Sequence, residues 1–154
     1  MHLRLILFVF LISTNAVAVP NIVVSIKPIH SIVSNITQGI AQPKLLLTDN
    51  QSAHHFHLRP SQLSLISNAD LIISIHPKME QGLSKILSNI DQHKKLYIDQ
   101  SEHIQNKEHE EGHDHLNNNY HVWLDIKKMQ QFSANVAKKL IALDPANKSA
   151  YLDN

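Results

Sequence analysis

Ile22-Val23-Val24-Ser25-Ile26-Lys27-Pro28-Ile29-His30-Ser31-Ile32-Val33-Ser34-Asn35-Ile36-Thr37-Gln38-Gly39 contains the decision about fold. Its first five residues form a largely β-branched run closed by Lys27-Pro28, the composition of a buried strand. From Pro28 the period changes. Ile29, Ile32, Val33 and Ile36 recur at helical spacing, and Gly39 supplies the stop. The alternation then continues outward. Lys44 to Leu47 reads as a second short strand, and Pro60 or Ser61 starts a helix carrying Leu63, Ile66 and Ala69. Leu71 to Ile75 is a third strand, Pro77 opens a helix with Met79, Leu83, Ile86 and Leu87, and Leu96 to Ile98 is a fourth strand. Strands apolar on both faces that alternate with helices predict an α/β fold. The expected form is a three-layer lobe with an about four-stranded, mainly parallel sheet, helices on both faces and right-handed crossovers.

The residues before this run set the compartment. Arg4, the apolar stretch Leu5 to Ile12 and the small-residue pattern Ala16-Val17-Ala18 read as a cleavable secretory signal peptide over residues 1–18. The apolar stretch is too short for a stable membrane span, so a periplasmic location without membrane insertion is expected. With 14 Lys and Arg against 13 Asp and Glu, the chain has no general attraction for nucleic acid. There is no cysteine, hence neither a disulfide framework nor a lipid-bearing thiol after the signal.

Residues 100–119 are polar and histidine-bearing, lack apolar periodicity and end in Asn117-Asn118-Asn119, which reads as a mobile loop. Order returns at Tyr120. After His121-Val122-Trp123-Leu124-Asp125, one helical face carries Ile126, Met129, Phe132, Val136, Leu140 and Leu143, with Asp125 as N-cap and Asp144-Pro145 as the break. Residues 146–154 would begin a further helix, expected to project or fray.

Eight of the twelve histidines fall in two segments, Ala53 to Ser61 and His103 to His121. Imidazole is the common ligand for zinc, copper and nickel because its neutral nitrogen keeps a lone pair, whereas a core has little use for clustered polar rings. Both segments follow strands, the second and the fourth, where ligands collect in parallel sheets. His30, His76 and His93 stand outside any cluster and read as structural or exposed.

At these residues the chain resembles the substrate-binding proteins of bacterial zinc and manganese ABC importers, most closely the periplasmic zinc-binding branch. The resemblance is carried by Ser25-Ile26-Lys27-Pro28-Ile29-His30-Ser31, by His54-x-Phe56-x-Leu58-Arg59-Pro60-Ser61, by Ala69-Asp70-Leu71 leading to Pro77-x-Met79-Glu80, and by His121-Val122-Trp123-Leu124-Asp125 with Asp144-Pro145-x-Asn147. It implies an N-terminal metal-binding lobe over residues 19–144, with the start of an interlobe helix over 145–154. It also implies that the two-lobed family's second half is missing here. Its first two ligands map to His54 and His121, and the remaining ones come from the other lobe. Where some members carry an acid before the first histidine, this chain has Ala53. His55 and His57 are alternative ligands on the same loop. His109, His113 and His115, with their acidic neighbours, resemble a short version of the family's histidine-rich loop and would bind metal weakly. Glu80 matches a family acid near the cleft but is explained by its place at a helix start.

The expected function is periplasmic capture of Zn2+, in preference to Mn2+ because several imidazoles and no carboxylate-rich cradle favour zinc over the harder ion. The ion would pass to an ABC permease, with or without a separately encoded second lobe. Two alternatives stay open: a weak zinc buffer or non-transporting remnant, and, from another class, a zinc hydrolase using an activated water. No catalytic step is expected.

Overall fold

The computed structural model describes residues 18–48, 51–98 and 121–154. The expected signal peptide, apart from Ala18, and the histidine-rich loop with His103, His109, His113 and His115 lie outside them. Four strands, β1 (Ile22–Val24), β2 (Lys44–Leu45), β3 (Leu71–Ser74) and β4 (Lys95–Tyr97), form one sheet in the order β2-β1-β3-β4, and every pairing is parallel. Helices α1 (Lys27–Ile36), α2 (Pro60–Ser67) and α3 (Gln81–Leu87) make the crossovers. Because the chain moves one way from β1 to β2 and the other way to β3 and β4, right-handed connections put α1 on one face and α2 and α3 on the opposite face. The long helix α4 (Ile126–Leu143) packs on α1 and completes that layer. All residues of β1 and β3 are buried, as strands covered on both faces must be. Among the described residues no helix is long and apolar enough to cross a membrane.

Local chemistry accounts for where the elements begin and end. Pro28 falls in the first turn of α1, where its missing N–H costs nothing, and the helix ends at Ile36 as Thr37 bonds back to the Val33 carbonyl at 2.9 Å. Gly39 follows with φ of 75°, a left-handed turn that suits glycine. The Asp125 carboxylate accepts the Lys128 N–H at 3.1 Å and caps α4. Phe132, Val136 and Leu140 are buried along that helix, but Ile126 and Leu143, expected on the same buried face, are exposed. An 18-residue helix is about 27 Å long, while strands of three or four residues reach only about 10 to 13 Å, so the ends of its stripe overhang the lobe.

Helix α3 begins at Gln81, four residues after Pro77, where the sequence pattern had placed its start. Pro77 to Met79 instead form a turn whose Met79 and Glu80 N–H groups donate to the His76 carbonyl. The Glu80 side chain reaches back to the end of β3 and accepts the Ile75 and His76 N–H groups at 2.6 and 3.3 Å. It does not cap its own helix, so the helix-start explanation gives way to a strand-end one. Burial pushes this carboxyl up to about 7, against the opposing effect of the Ser25 hydroxyl beside it and the two N–H groups. Ser25 Oγ, Ser74 Oγ and Glu80 Oε1 find no hydrogen-bond partner among the described residues. Burial also pushes the Tyr97 phenol up, with the Glu80 charge as the lesser cause.

The tail does not project. Residues Lys148–Asp153 form α5, and Tyr151 is 2% exposed with its hydroxyl donating to Asp144 Oδ2 at 3.0 Å. Asn147 Nδ2 donates to the same oxygen at 2.7 Å. The Asn154 amide donates to the carbonyls of Ile36 and Gln38 at 3.1 and 3.0 Å, and Asn35 Nδ2 donates to the Asn154 carbonyl. The expectation of fraying failed because the exposed carbonyls at the end of α1 need donors, and this segment supplies them.

Two outcomes follow from these contacts. Tyr151→Phe removes a donor from a buried carboxylate and should destabilise the fold by about 1 to 3 kcal/mol in urea unfolding; an unchanged midpoint would mean the bond contributes nothing. Glu80 has a folded value above its unfolded one, so its stabilising contribution is complete below 4.5 and is lost as pH rises through about 7. Stability of Glu80→Gln, which cannot ionise, should therefore gain on that of the native chain between those limits, and parallel pH–stability curves would refute the shift.

Candidate metal centre

The carboxyl ends of β1, β2 and β3 open onto one cleft, lined by Lys27, Thr48, Met79, His54, His121 and Trp123 among others. Strand order reverses beside β1, and this is the crevice where a parallel sheet offers a ligand its best access.

His54 stands on the loop between β2 and α2. It is exposed, and its N–H donates to Ser52 Oγ at 3.3 Å. The loop is pinned at its middle by Phe56, which is buried against the start of α3. There Gly82 comes so close that an added Cβ would lie 2.5 Å from the Phe56 carbonyl oxygen and 3.2 Å from its ring. At the loop's ends the buried amide of Gln62 accepts the Arg59 N–H at 2.9 Å and donates to the Leu46 carbonyl at 2.6 Å and to Gln51 Oε1 at 2.8 Å. Neither Gly82 nor Gln62 was singled out from sequence, although a glycine inside a helical pattern and a glutamine three residues past a helix N-cap are recognisable signals.

His121 stands at the entry to α4. It immediately precedes a single 3-10 turn, Val122–Leu124, that leads into α4. Val122 is buried and holds this turn to the core, and Trp123 meets the His121 ring edge-on with centroids 5.0 Å apart. The His54 and His121 ring centres are 6.2 Å apart. Two imidazoles sharing a tetrahedral zinc, each nitrogen at about 2.0 to 2.1 Å, would place their ring centres roughly 5 Å apart. The observed spacing is wider than that by about 1 Å, a gap that side-chain rotation can close.

The other histidines are placed differently. His55 is exposed, with its ring centre 6.5 Å from that of His54, and His57 is exposed on the same loop. His30 bonds the Pro43 carbonyl through Nε2 at 2.8 Å, and His76 is buried with Nδ1 accepting the Lys78 N–H. His93 is exposed in a turn. Among the described residues no three His, Asp or Glu side chains are grouped to hold one ion. What the described residues bring together is a pair of imidazoles, two of the about four donors that a zinc site needs. Leu124 and Ile126, each 76% exposed, stand beside His121 as uncovered apolar surface.

Comparison with known proteins agrees with this architecture. Residues 22–154 match the family model described as zinc-uptake complex component A, periplasmic. The chain is 30% identical to the high-affinity zinc uptake system protein ZnuA of Yersinia pestis over 82% of its own length and 48% of that protein's. Among solved structures, the Mn-bound periplasmic metal binding protein of Candidatus Liberibacter asiaticus is similar with a TM-score of 0.69 and 22% identity, over 86% of this chain and 48% of that one. The Zn(II)-bound ZnuA-like domain of Streptococcus pneumoniae AdcA is similar with the same TM-score and 18% identity, over 88% and 49%. The fold is therefore shared, and the chain spans about half the length of the relatives it matches.

Gly82→Ala tests whether the loop's close approach to α3 matters. The new methyl cannot coexist with the Phe56 carbonyl at 2.5 Å, so the loop must shift. Reduced stability together with altered His54 ring resonances in NMR is expected; unchanged spectra would mean that the loop does not depend on this contact.

Proposed function

The chain belongs to the family of periplasmic zinc-uptake component A proteins, and from that premise we propose that it captures Zn2+ between His54 and His121 for delivery to an ABC permease. The observation that carries the proposal is the approach of these two rings to 6.2 Å from two separate segments of the chain, at the carboxyl end of the sheet where ligands bind. Imidazole nitrogen favours zinc over the harder Mn2+, which prefers oxygen. The family is one of metal-binding transport components, and the capture of an ion requires no covalent step.

Residues 19–144 act in this reading as the metal-binding lobe, and 145–154, docked back against α1, as the start of the interlobe helix. Because the relatives are about twice as long, the remaining donors come from a second lobe, which would also cover Leu124 and Ile126. His55 and His57 are nearby substitutes for one missing donor. His109, His113 and His115 would serve as weak collecting sites. A periplasmic location follows the family description. The hydrolase alternative has one formal support, since His109-Glu110-Glu111-Gly112-His113 spells His-Glu-x-x-His. That spacing serves zinc chemistry only on a helix, and here it lies in a polar stretch without apolar periodicity.

Competition with a chromophoric chelator tests the assignment. His54→Ala and His121→Ala should each weaken the tighter zinc binding by about tenfold or more, and that binding should fall as pH drops because only neutral imidazole ligates. Deleting residues 108–115 should lower the number of weakly bound ions and leave the tighter site intact. Full loss of binding on that deletion alone, or none in either histidine variant, would disprove the pair.

A further inference from the structure

We infer that Gln62 is a positioning residue for the candidate centre, a single buried amide that holds both ends of the histidine loop and sets where His54 stands relative to His121. The inference rests on the metal-capture reading above for its functional meaning, and on hydrogen bonds alone for its structural part. Residues 51–59 lie outside the sheet and the helices, so no regular ladder fixes their backbone. The loop begins just past β2 and ends at α2, and Gln62 bonds to both ends. Its Nε2 donates to the Leu46 carbonyl at 2.6 Å and to Gln51 Oε1 at 2.8 Å, while its Oε1 accepts the Arg59 N–H at 2.9 Å. A side-chain amide has two donor hydrogens, and both are used.

Two features separate this from ordinary capping. A helix cap at this position needs only the acceptor facing Arg59 N–H. The two donated bonds do nothing for α2; they run back to the end of β2 and to the loop's first described residue. Moreover, Gln62 is 7% exposed, so its donors have little access to water as a substitute partner. The orientation of the amide is also determined: with oxygen and nitrogen exchanged, Nε2 would face the Arg59 N–H and Oε1 would face the Leu46 carbonyl, two repulsive contacts. The amide therefore sits on a helix anchored in the core and transmits that rigidity to a loop whose histidines are all exposed.

Gln62→Glu distinguishes the two roles. A carboxylate keeps the acceptor for Arg59 N–H and suits a helix N-terminus, so a residue that merely caps would leave the loop unchanged or firmer. For a positioning residue the same change turns both donors into acceptors facing the Leu46 carbonyl and Gln51 Oε1. The test uses the metal-free full chain for amide hydrogen exchange and the same chain for zinc competition, at a temperature where circular dichroism shows both forms folded. Exchange across residues 51–58 should rise about tenfold with α2 and β3 unchanged, and zinc affinity should fall about tenfold. Gln51→Ala, which removes one of the two partners from the loop side, should give a smaller change of about threefold in both readouts. It decides the matter if Gln62→Glu does not fold.

Exchange and affinity at native values in Gln62→Glu would overturn the inference, as would uniformly raised exchange throughout the fold. If Gln62→Glu does not fold, native values in Gln51→Ala overturn it. If His54→Ala and His121→Ala leave zinc binding intact while the loop exchange of Gln62→Glu still rises, the capture reading fails and the loop-holding role of Gln62 stands.

Discussion

Parallel pairing of β1 with β2 on one side and β3 on the other is the constraint from which the rest of the molecule follows. Parallel strands have to be joined by crossovers, which cover both faces of the sheet and leave only its two edges and two ends available for function. All three strands then point their carboxyl ends the same way, and the described parts of the segments leaving them, with Ile26 and Lys27, Leu47, Thr48 and His54, and Met79, line one cleft. The strands themselves have two to four residues. With so short a ladder, the convergent segments must supply much of the order at that end, which is why a buried glutamine, a buried glutamate and a glycine packed against a backbone carbonyl are all found there.

Glu80 and Gln62 show two solutions to the same problem. Each leaves a helix start and satisfies main-chain groups where a strand has run out: Glu80 takes the N–H groups after β3, and Gln62 gives to the carbonyl after β2. The neutral amide matches its partners in both donors and acceptor. The acid does so less well, since one oxygen has no hydrogen-bond partner among the described residues and burial raises its proton affinity.

Elements driven by local pattern were legible in the sequence. The apolar runs of β1 and β3, the helical period of α1 and the Asp125 cap all depend on residues within one turn or strand of each other. The residue types at the site were legible too, since clustered imidazoles advertise their chemistry. What could not be read depends on contacts between distant positions. The docking of α5 needs Asn154 to meet Ile36 and Gln38, and the late start of α3 needs the Glu80 side chain to prefer the end of β3 to its own helix. The distance between His54 and His121 belongs to the same class, because it is set by how two separate supports pack and not by either segment alone.

Those supports differ in kind, and the difference bears on capture. His54 is carried by a short loop clamped to α2 and α3, whereas His121 leads through a single 3-10 turn into α4, whose position is set by Phe132, Val136 and Leu140 in the core and by its packing on α1. One ring is therefore tied to the helices on one face of the sheet and the other to the helices on the opposite face. A small sliding of α4 across the sheet would change the separation of the rings while leaving each local environment intact, as sliding of packed helices does in shear motions. The buried Tyr151 to Asp144 bond ties α5 to the end of α4, and the Asn154 amide ties α5 in turn to α1. Through that chain of contacts the packing of the last helix restrains α4, and with it the placement of His121 at the other end of the same helix.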